Sequence, residues 1–531
     1  MNDPGLAALL SGPTCLALGT GNATMTHRGL PVSWGMVTLA FVLAAALWAL
    51  ARAPAKGIES QGVSLGRMPL IGPGIRRLTA TPWVLISLRM FLVALFLLVI
   101  TAGLFGTPIT ERNLATMLTW NLWWAGLVFS VLLLGTAWCA VCPWDALAHW
   151  LVRRRLWRRA EPNNSLNLRV PRPLRSVWPA LWLFIGLTWL ELGVGITTSP
   201  YATALVALLM VVLATVSLAL FERKAFCRYF CPVGRTVGFY SQLSLVELRP
   251  IEAEICAHCR TLDCYYGNAQ IEPCPTWLVM GRLTQNSYCI SCGNCTQSCP
   301  HNNIAWRFRS PAAEAVVGAR PRWDEAWFML ILLALTIFHG LTMMPFWEPA
   351  MRALARVIGD SGRLLWSFSA GLAACIACTS LLYWGAARLA HRWTGSTMPF
   401  RRFFATFAFT ALPLAFAYHL AHNLNHLARE SSGLGAVLRD PLGVHAQPLS
   451  LAEKHLRHLD TWIPLDVLWA LQTGLMALGF VIALQIIRHR GRSALGEAGQ
   501  PAWRLAPLIL FACAVTAFNL WLLMQPMVMR F

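Results

Sequence analysis

The sequence predicts an all-α, polytopic membrane protein of about ten transmembrane helices, interrupted once by a cysteine-rich insert. Three observations predict it. Of 531 residues, 56% are hydrophobic and only 12% are charged, where a soluble protein carries about 25% charged. Apolar stretches long enough to cross a hydrocarbon core of ~30 Å recur along the chain. Most of the 16 cysteines fall between Cys139 and Cys299, in ligand-like spacings. This composition excludes a soluble globular enzyme and a disordered chain. The net charge of +20 would suggest nucleic acid in a soluble protein. In a membrane protein, basic cytoplasmic loops account for it, so no nucleic-acid partner is expected.

The apolar stretches are 34–53, 82–104, 117–137, 177–197, 202–221, 326–346, 364–387, 401–427, 464–487 and 504–526. Ten crossings put both termini on one side. Placing both outside leaves most Arg and Lys in the inner segments, including Arg153, Arg154, Arg155, Arg388, Arg392, Arg401 and Arg402. The positive-inside rule then predicts a multi-pass protein of the bacterial inner membrane, with periplasmic termini and the long segment 222–325 in the cytoplasm. Residues 1–33 lack the basic cluster of a signal peptide and read as an extracytoplasmic segment. Residues 34–249 form a first membrane domain, 250–310 the insert, and 311–531 a second membrane domain.

Cys289-x2-Cys292-x2-Cys295-x3-Cys299-Pro300 has the spacing that wraps an iron–sulfur cubane. A zinc site would favour two separated C-x2-C pairs around one ion. Upstream, Cys256-x2-Cys259-x4-Cys264 followed by Cys274-Pro275 repeats the pattern with enlarged loops. The Cys before each Pro ligates the other cluster in two-cluster ferredoxins. The insert thus reads as a cytoplasmic ferredoxin-like domain with two [4Fe–4S] clusters. One is held by Cys256, Cys259, Cys264 and Cys299, the other by Cys289, Cys292, Cys295 and Cys274. A single cluster with degenerate upstream cysteines is the alternative. Such a domain passes single electrons. His258 and His301 flank the cysteines as neighbours rather than ligands. His301, Arg307 and Arg309 suit either an acidic soluble carrier or lipid headgroups.

Two further motifs end membrane spans. Cys139-Ala-Val-Cys142-Pro143 follows the third, and Cys227-Arg-Tyr-Phe-Cys231-Pro232 follows the fifth. Residues three or four apart share a helix face, so each pair can bind metal or cycle between dithiol and disulfide. The plainer reading is that Pro stops the helix and Cys fills space. Two Cys-Pro motifs followed by a two-cluster insert resemble the membrane polyferredoxin group that includes NapH, NosR and CcoG. The resemblance covers about residues 82–310. It implies membrane electron transfer in anaerobic respiration, or metal reduction during metalloenzyme assembly. The first motif has one residue fewer than the C-x3-C-P usual in the group, and residues 326–531 have no recognised counterpart.

In the C-terminal half, His419, His422 and His426 form one helical stripe, and His339 lies on the sixth span. Three readings compete: a haem b with axial His339 and His419 or His422, a copper site, or interfacial hydrogen bonding. The following loop adds His445, His455 and His458, with a capping box at Ser450 and Glu453. Met343, Met344, Met524, Met527 and Met529 are copper ligands on the second reading and core filler on the third. Cys375 and Cys378 suit helix packing. Glu191 is a costly carboxylate within a span and a candidate proton site for quinol, or a partner for another helix. The function expected is iron–sulfur electron transfer linking a quinone pool or soluble carrier to a membrane or periplasmic redox protein. Metal reduction or metalloenzyme assembly, and redox sensing, are the alternatives.

Overall fold

The computed structural model describes residues 15–16, 24–52, 62–155, 164–450, 452–454, 461–495 and 502–528. Among them are nine helices long and apolar enough to cross a membrane, and one shorter apolar helix in the expected fourth place. In chain order they are α1 (Val32–Ala51), α2 (Pro82–Phe105), α3 (Leu114–Leu134), α4 (Trp178–Val194), α5 (Pro200–Leu220), α6 (Trp323–Leu341), α7 (Leu365–Thr394), α8 (Phe400–Arg429), α9 (Leu465–Arg492) and α10 (Ala502–Met524).

The boundaries follow local chemistry. Pro82 and Pro200 open α2 and α5, where a missing N–H costs nothing. The Ser199 side chain accepts the Ala202 N–H at the start of α5. α4 is short because its last turn, Leu190–Val194, loosens into a π turn and stops at Gly195 (φ +79°), a left-handed position that glycine adopts without strain. Its α-helical part is Trp178–Trp189.

α8 runs through the centre of the bundle, packed by α6, α9 and α3. Phe403, Phe404, Phe407 and Phe409 at its start are fully buried. α2 and α5 lie at the periphery and expose Phe91, Leu97, Leu209 and Val212, as lipid-facing helices do. Short strands β1 (Cys15–Leu16), β2 (Thr24–His27) and β6 (Met527–Val528) form a sheet in which Thr26 pairs with Val528 and His27 with Met527. The described chain ends therefore lie side by side.

The cysteine-rich insert lies between β4 (Val246–Pro250) and β5 (Ile304–Phe308), paired antiparallel from Val246–Phe308 to Pro250–Ile304. β3 (Val63–Ser64) adds to the free edge of β5. Arg309 clamps this sheet from a buried position. Its Nη1 lies 3.1 Å from Glu247 and 2.6 Å from Glu314. Its Nη2 and Nε donate to the carbonyls of Ser241 and Ser244. Arg307 donates to the carbonyls of Pro250 and Gly62. Neither is spare charge for a carrier, which corrects the docking role expected for them. His301 alone of that trio is exposed.

The insert and the short segment that follows it are tied to the membrane bundle at three places. Arg490, on α9, donates to the carbonyls of Ala315 and Ala319. The Tyr288 hydroxyl donates to the buried Glu325 in the first turn of α6 at 2.7 Å. The helix Pro232–Tyr240 meets the insert so closely that any Cβ at Gly238 would strike the Ser287 carbonyl.

Candidate functional site

Of the eight cysteines of the insert, Cys256, Cys264 and Cys295 sit on short helical turns, and the other five lie in loops where left-handed residues recur. Leu262, Trp277, Ser291, Gly293 and Asn302 all have φ between +48° and +81°, which bends the chain tightly around its sulfurs. Several donors aim at these sulfurs. The Ser291 N–H points at Cys289 Sγ (3.3 Å), and the Leu278 N–H at Cys274 Sγ (3.3 Å). Asn303 serves two: its N–H points at Cys299 Sγ (3.5 Å) and its side-chain amide at Cys256 Sγ (3.4 Å).

Burial pushes the Cys264 thiol up, and the neighbouring Cys256, Cys259 and Cys299 push it further. Burial pushes Cys295 well above the usual thiol range, followed by Cys292, Cys289 and Cys274, and then by Cys264. Cys289 and Cys292 are raised to about 12 and about 11, burial being the main cause in both. The sulfurs thus fall into two neighbourhoods, with Cys264 of one within electrostatic reach of Cys295 of the other.

Among the described residues, no three His, Cys, Asp or Glu gather as ligands of a single ion. A cubane spreads its four thiolates wider than one ion does, because iron and sulfide stand between them. N–H donors to sulfur are the surroundings that tune such a cluster. This donor set fits iron–sulfur clusters and does not fit a mononuclear metal.

The two Cys-Pro motifs are built alike. Cys142 precedes Pro143, the first residue of the helix Pro143–Arg153. Cys231 precedes Pro232, the first residue of Pro232–Tyr240, and its sulfur accepts the Gly234 N–H at 3.2 Å. Each proline starts a new helix, but the spans end earlier, at Leu134 and Leu220, and the cysteines follow on separate short turns, Trp138–Val141 and Phe226–Phe230, which corrects the expectation that proline stops the span. The pairs also meet. Asp145, one turn after the first motif, accepts from Lys224 Nζ at 2.6 Å and lies 3.6 Å from Cys227 Sγ. Burial pushes Cys139 up to about 12, with Cys231, Asp145 and Cys289 adding to it and Arg235 opposing. Cys231 is pushed to about 11, again chiefly by burial. All four membrane-surface thiols therefore lie within electrostatic reach of Asp145, and Cys139 also of Cys289 of the insert.

Sequence reasoning missed the polar frame around these thiols. Burial alone would raise the Asp145 carboxyl. Lys224, then His149 and Arg89, overcome that and hold it below its usual range. Arg89 of α2 also donates to the Ala140 carbonyl at 2.7 Å. A lone Arg inside the second apolar stretch was the one available signal. Lys224→Ala is expected to destabilise the protein by about 3 kcal/mol, because it strands a buried carboxylate. Thermal unfolding of the solubilised variant checks this. A Lys224→Ala/Asp145→Ala double variant should lose less than the two single losses combined.

A cavity of about 270 Å³ opens beside the thiols, between α2, α3, α4 and α5. Trp120, Trp123, Trp124, Trp138 and Trp144 line it, and Glu191 is its one charged residue. A second cavity of about 30 Å³ shares Trp124, Phe184, Thr188 and Glu191 with it and adds His339, His419, Tyr418 and His422. His339 Nδ1 lies 3.8 Å from Glu191 Oε1. The His339 and His422 rings meet edge to face at 5.1 Å, and His422 Nε2 lies 3.1 Å from His426 Nε2. His419 Nδ1 contacts the Tyr240 hydroxyl at 3.2 Å.

The structure thus gathers all four histidines with Glu191. Axial imidazoles must lie on opposite faces of a macrocycle, whereas the His339 and His422 rings touch, so that pair does not fit as the two axial ligands of one haem. Met343, Met344 and Met527 are buried packing residues, and Cys375 is half-buried against the Ala334 carbonyl. The Ser450–Glu453 capping box forms, with both reciprocal bonds. His445 is exposed, while His455, His458 and Met529 lie outside the described residues.

Residues 116–160 and 203–244, the segments that carry the Cys-Pro motifs, match a known family. It is described as a 4Fe-4S binding domain. A protein of Escherichia coli K12 named "Putative electron transport protein YccM" is 31% identical over 126 residues, covering 23% of this chain and 31% of that protein. The uncharacterised protein MJ0750 of Methanocaldococcus jannaschii is 24% identical over 193 residues, covering 34% of this chain and 76% of that protein. The chain thus spans under a third of the length of YccM. No solved structure matches it. The resemblance to membrane polyferredoxins is upheld, and these similarities support iron–sulfur electron transfer in a multi-pass membrane protein.

Proposed function

We propose that this chain is a membrane-bound iron–sulfur electron-transfer protein that links quinol or a cytoplasmic donor to a membrane or periplasmic redox partner. Cys256, Cys259, Cys264 and Cys299 hold one [4Fe–4S] cluster, and Cys274, Cys289, Cys292 and Cys295 a second. Bound clusters supply one-electron chemistry. The insert faces the cytoplasm and both termini the periplasm, on the charge asymmetry of the loops.

The observation that carries the reading is a series of sulfurs. It begins at half-buried Cys256 and Cys259, passes Cys264 and Cys295, and reaches Cys289, within electrostatic reach of Cys139. It ends at the tryptophan-lined cavity, whose wall includes Trp138, Pro143 and Val233. The chain's own residues do three things along it. Arg309 and its carboxylates fix the insert, Asn303 and backbone amides orient sulfurs, and the tryptophans keep water from the membrane end.

Anaerobic purification with iron and sulfide assays tests this. About eight irons per chain and an EPR signal on reduction are expected for two cubanes. Fewer than about four irons with an EPR-silent reduced sample would remove the proposal.

A second reading, a cupric reductase serving metalloenzyme assembly, rests on the four Cys-Pro thiols, since soft ligands suit Cu(I). It expects copper binding that Cys231→Ser weakens.

A further inference from the structure

We infer that Glu191, His339, His422 and His426 form a proton path leading from a quinol in the tryptophan-lined cavity toward the membrane face opposite the cysteine-rich insert. The inference rests on the quinol branch of the proposed function and assigns that branch a site and a proton exit.

The cavity suits such a ligand. Its aromatic and aliphatic wall matches a flat ring with an apolar tail, and its polar groups are few, as in most ligand pockets. Leu92, Leu95, Val206 and Met210 of the two peripheral helices complete the lining, so the tail has a route to lipid. Glu191 is the one charged group within reach of a ring hydroxyl there. It is only 8% exposed and sits in the π turn of α4, a distortion frequent at functional sites. A carboxylate in a membrane span is costly and usually functional.

Glu191 also belongs to the second cavity, so it stands in the wall between the tryptophan-lined chamber and a smaller one lined by three histidines. On the histidine side His339 is 3.8 Å away, then His422 in ring contact, then His426 at 3.1 Å. This smaller cavity, about 30 Å³, has room for roughly one or two waters. Tyr418, 1% exposed, lines it, and its hydroxyl has no hydrogen-bond partner among the described residues. A buried hydroxyl of that kind is satisfied by cavity water.

The direction follows from the helices. Arg401, beside Phe400 at the start of α8, stacks on Trp323, the first residue of α6 and the end nearest the insert. His339 and His426 lie near the far ends of those helices.

The chemistry balances. Oxidation breaks both O–H bonds of the quinol and forms two carbonyls. Two protons leave by way of Glu191. Two electrons leave singly to oxidised iron–sulfur clusters, the acceptor class the proposed function supplies.

Two measurements test the path. Anaerobic rapid mixing follows bleaching of the clusters by decyl-ubiquinol. Glu191→Gln and His422→Phe are expected to slow it about a hundredfold, with iron content and bleaching by dithionite unchanged. In parallel, dicyclohexylcarbodiimide should label Glu191, as read by peptide mass spectrometry, and added decyl-ubiquinone should suppress the labelling. Glu191→Asp guards against misfolding, since it keeps the carboxylate and should retain part of the rate. Equal bleaching of wild type and both variants by quinol would overturn the path and leave the quinol reading standing. Wild-type clusters that dithionite bleaches and quinol does not would overturn that reading and the path with it.

Discussion

Arg309→Ala should unfold the insert or strip the protein from the membrane fraction. The guanidinium is 3% exposed and holds Glu247, Glu314 and the carbonyls of Ser241 and Ser244 together. Arg249 reaches Glu314 at 2.6 Å and Glu247 at 3.3 Å, and Arg307 lies 3.8 Å from Glu247, so the group is a network of three arginines on two carboxylates. Removing Arg309 breaks two buried ion pairs and leaves two carbonyls unpaired. Breaking a buried ion pair costs about 3–5 kcal/mol, a large share of a total stability of roughly 5–15 kcal/mol. Arg309→Lys keeps the charge and loses the fork, so it should fall between wild type and Arg309→Ala. Size-exclusion yield and thermal midpoints of the three proteins check the order. A midpoint for Arg309→Ala equal to wild type would show that the network is not what holds the sheet.

Cys295→Ser should remove one cluster, halving iron from about eight to about four per chain. Cys295 is 7% exposed, and after burial the thiols that push it up most are Cys292, Cys289 and Cys274. Cross-ligation makes a sharper statement. Cys274→Ser should reproduce the Cys295→Ser phenotype, although 20 residues separate them. Cys299→Ser, four residues after Cys295, should reproduce Cys256→Ser instead. Iron, sulfide and EPR lineshape for the four variants decide this. Full iron in Cys256→Ser would favour the single-cluster alternative, and pairing by sequence proximity would refute cross-ligation.

What was legible in the chain was whatever spacing encodes. Apolar runs located the crossings to within a few residues, and the cysteine intervals marked the insert. The stripe His419, His422, His426 was correctly read as one helix face, and Glu191 as needing a partner. Helical offsets carry no information about how far apart two helices stand, however, so the haem reading of His339 and His422 failed on separation, not on direction. The charge of Arg307 and Arg309 was legible, but whether they faced solvent was not. Pairing partners far apart in sequence were invisible too. Asp145 and Lys224 meet only because the two Cys-Pro segments pack side by side. The tryptophan-lined cavity needs four helices assembled before it exists.

The two Cys-Pro motifs differ by one residue, and the fold absorbs the difference. Phe226–Phe230 forms a π turn in which the Cys231 N–H reaches back to the Phe226 carbonyl, whereas Trp138–Val141 makes a tighter turn before Cys142. In each case the proline still launches its helix and the thiols still converge. The extra residue is therefore taken up within the turn itself, without moving the proline from the first position of the following helix. A gap at this place in an alignment says nothing about loss of the site, and a search pattern that insists on one fixed interval will pass over proteins that keep it.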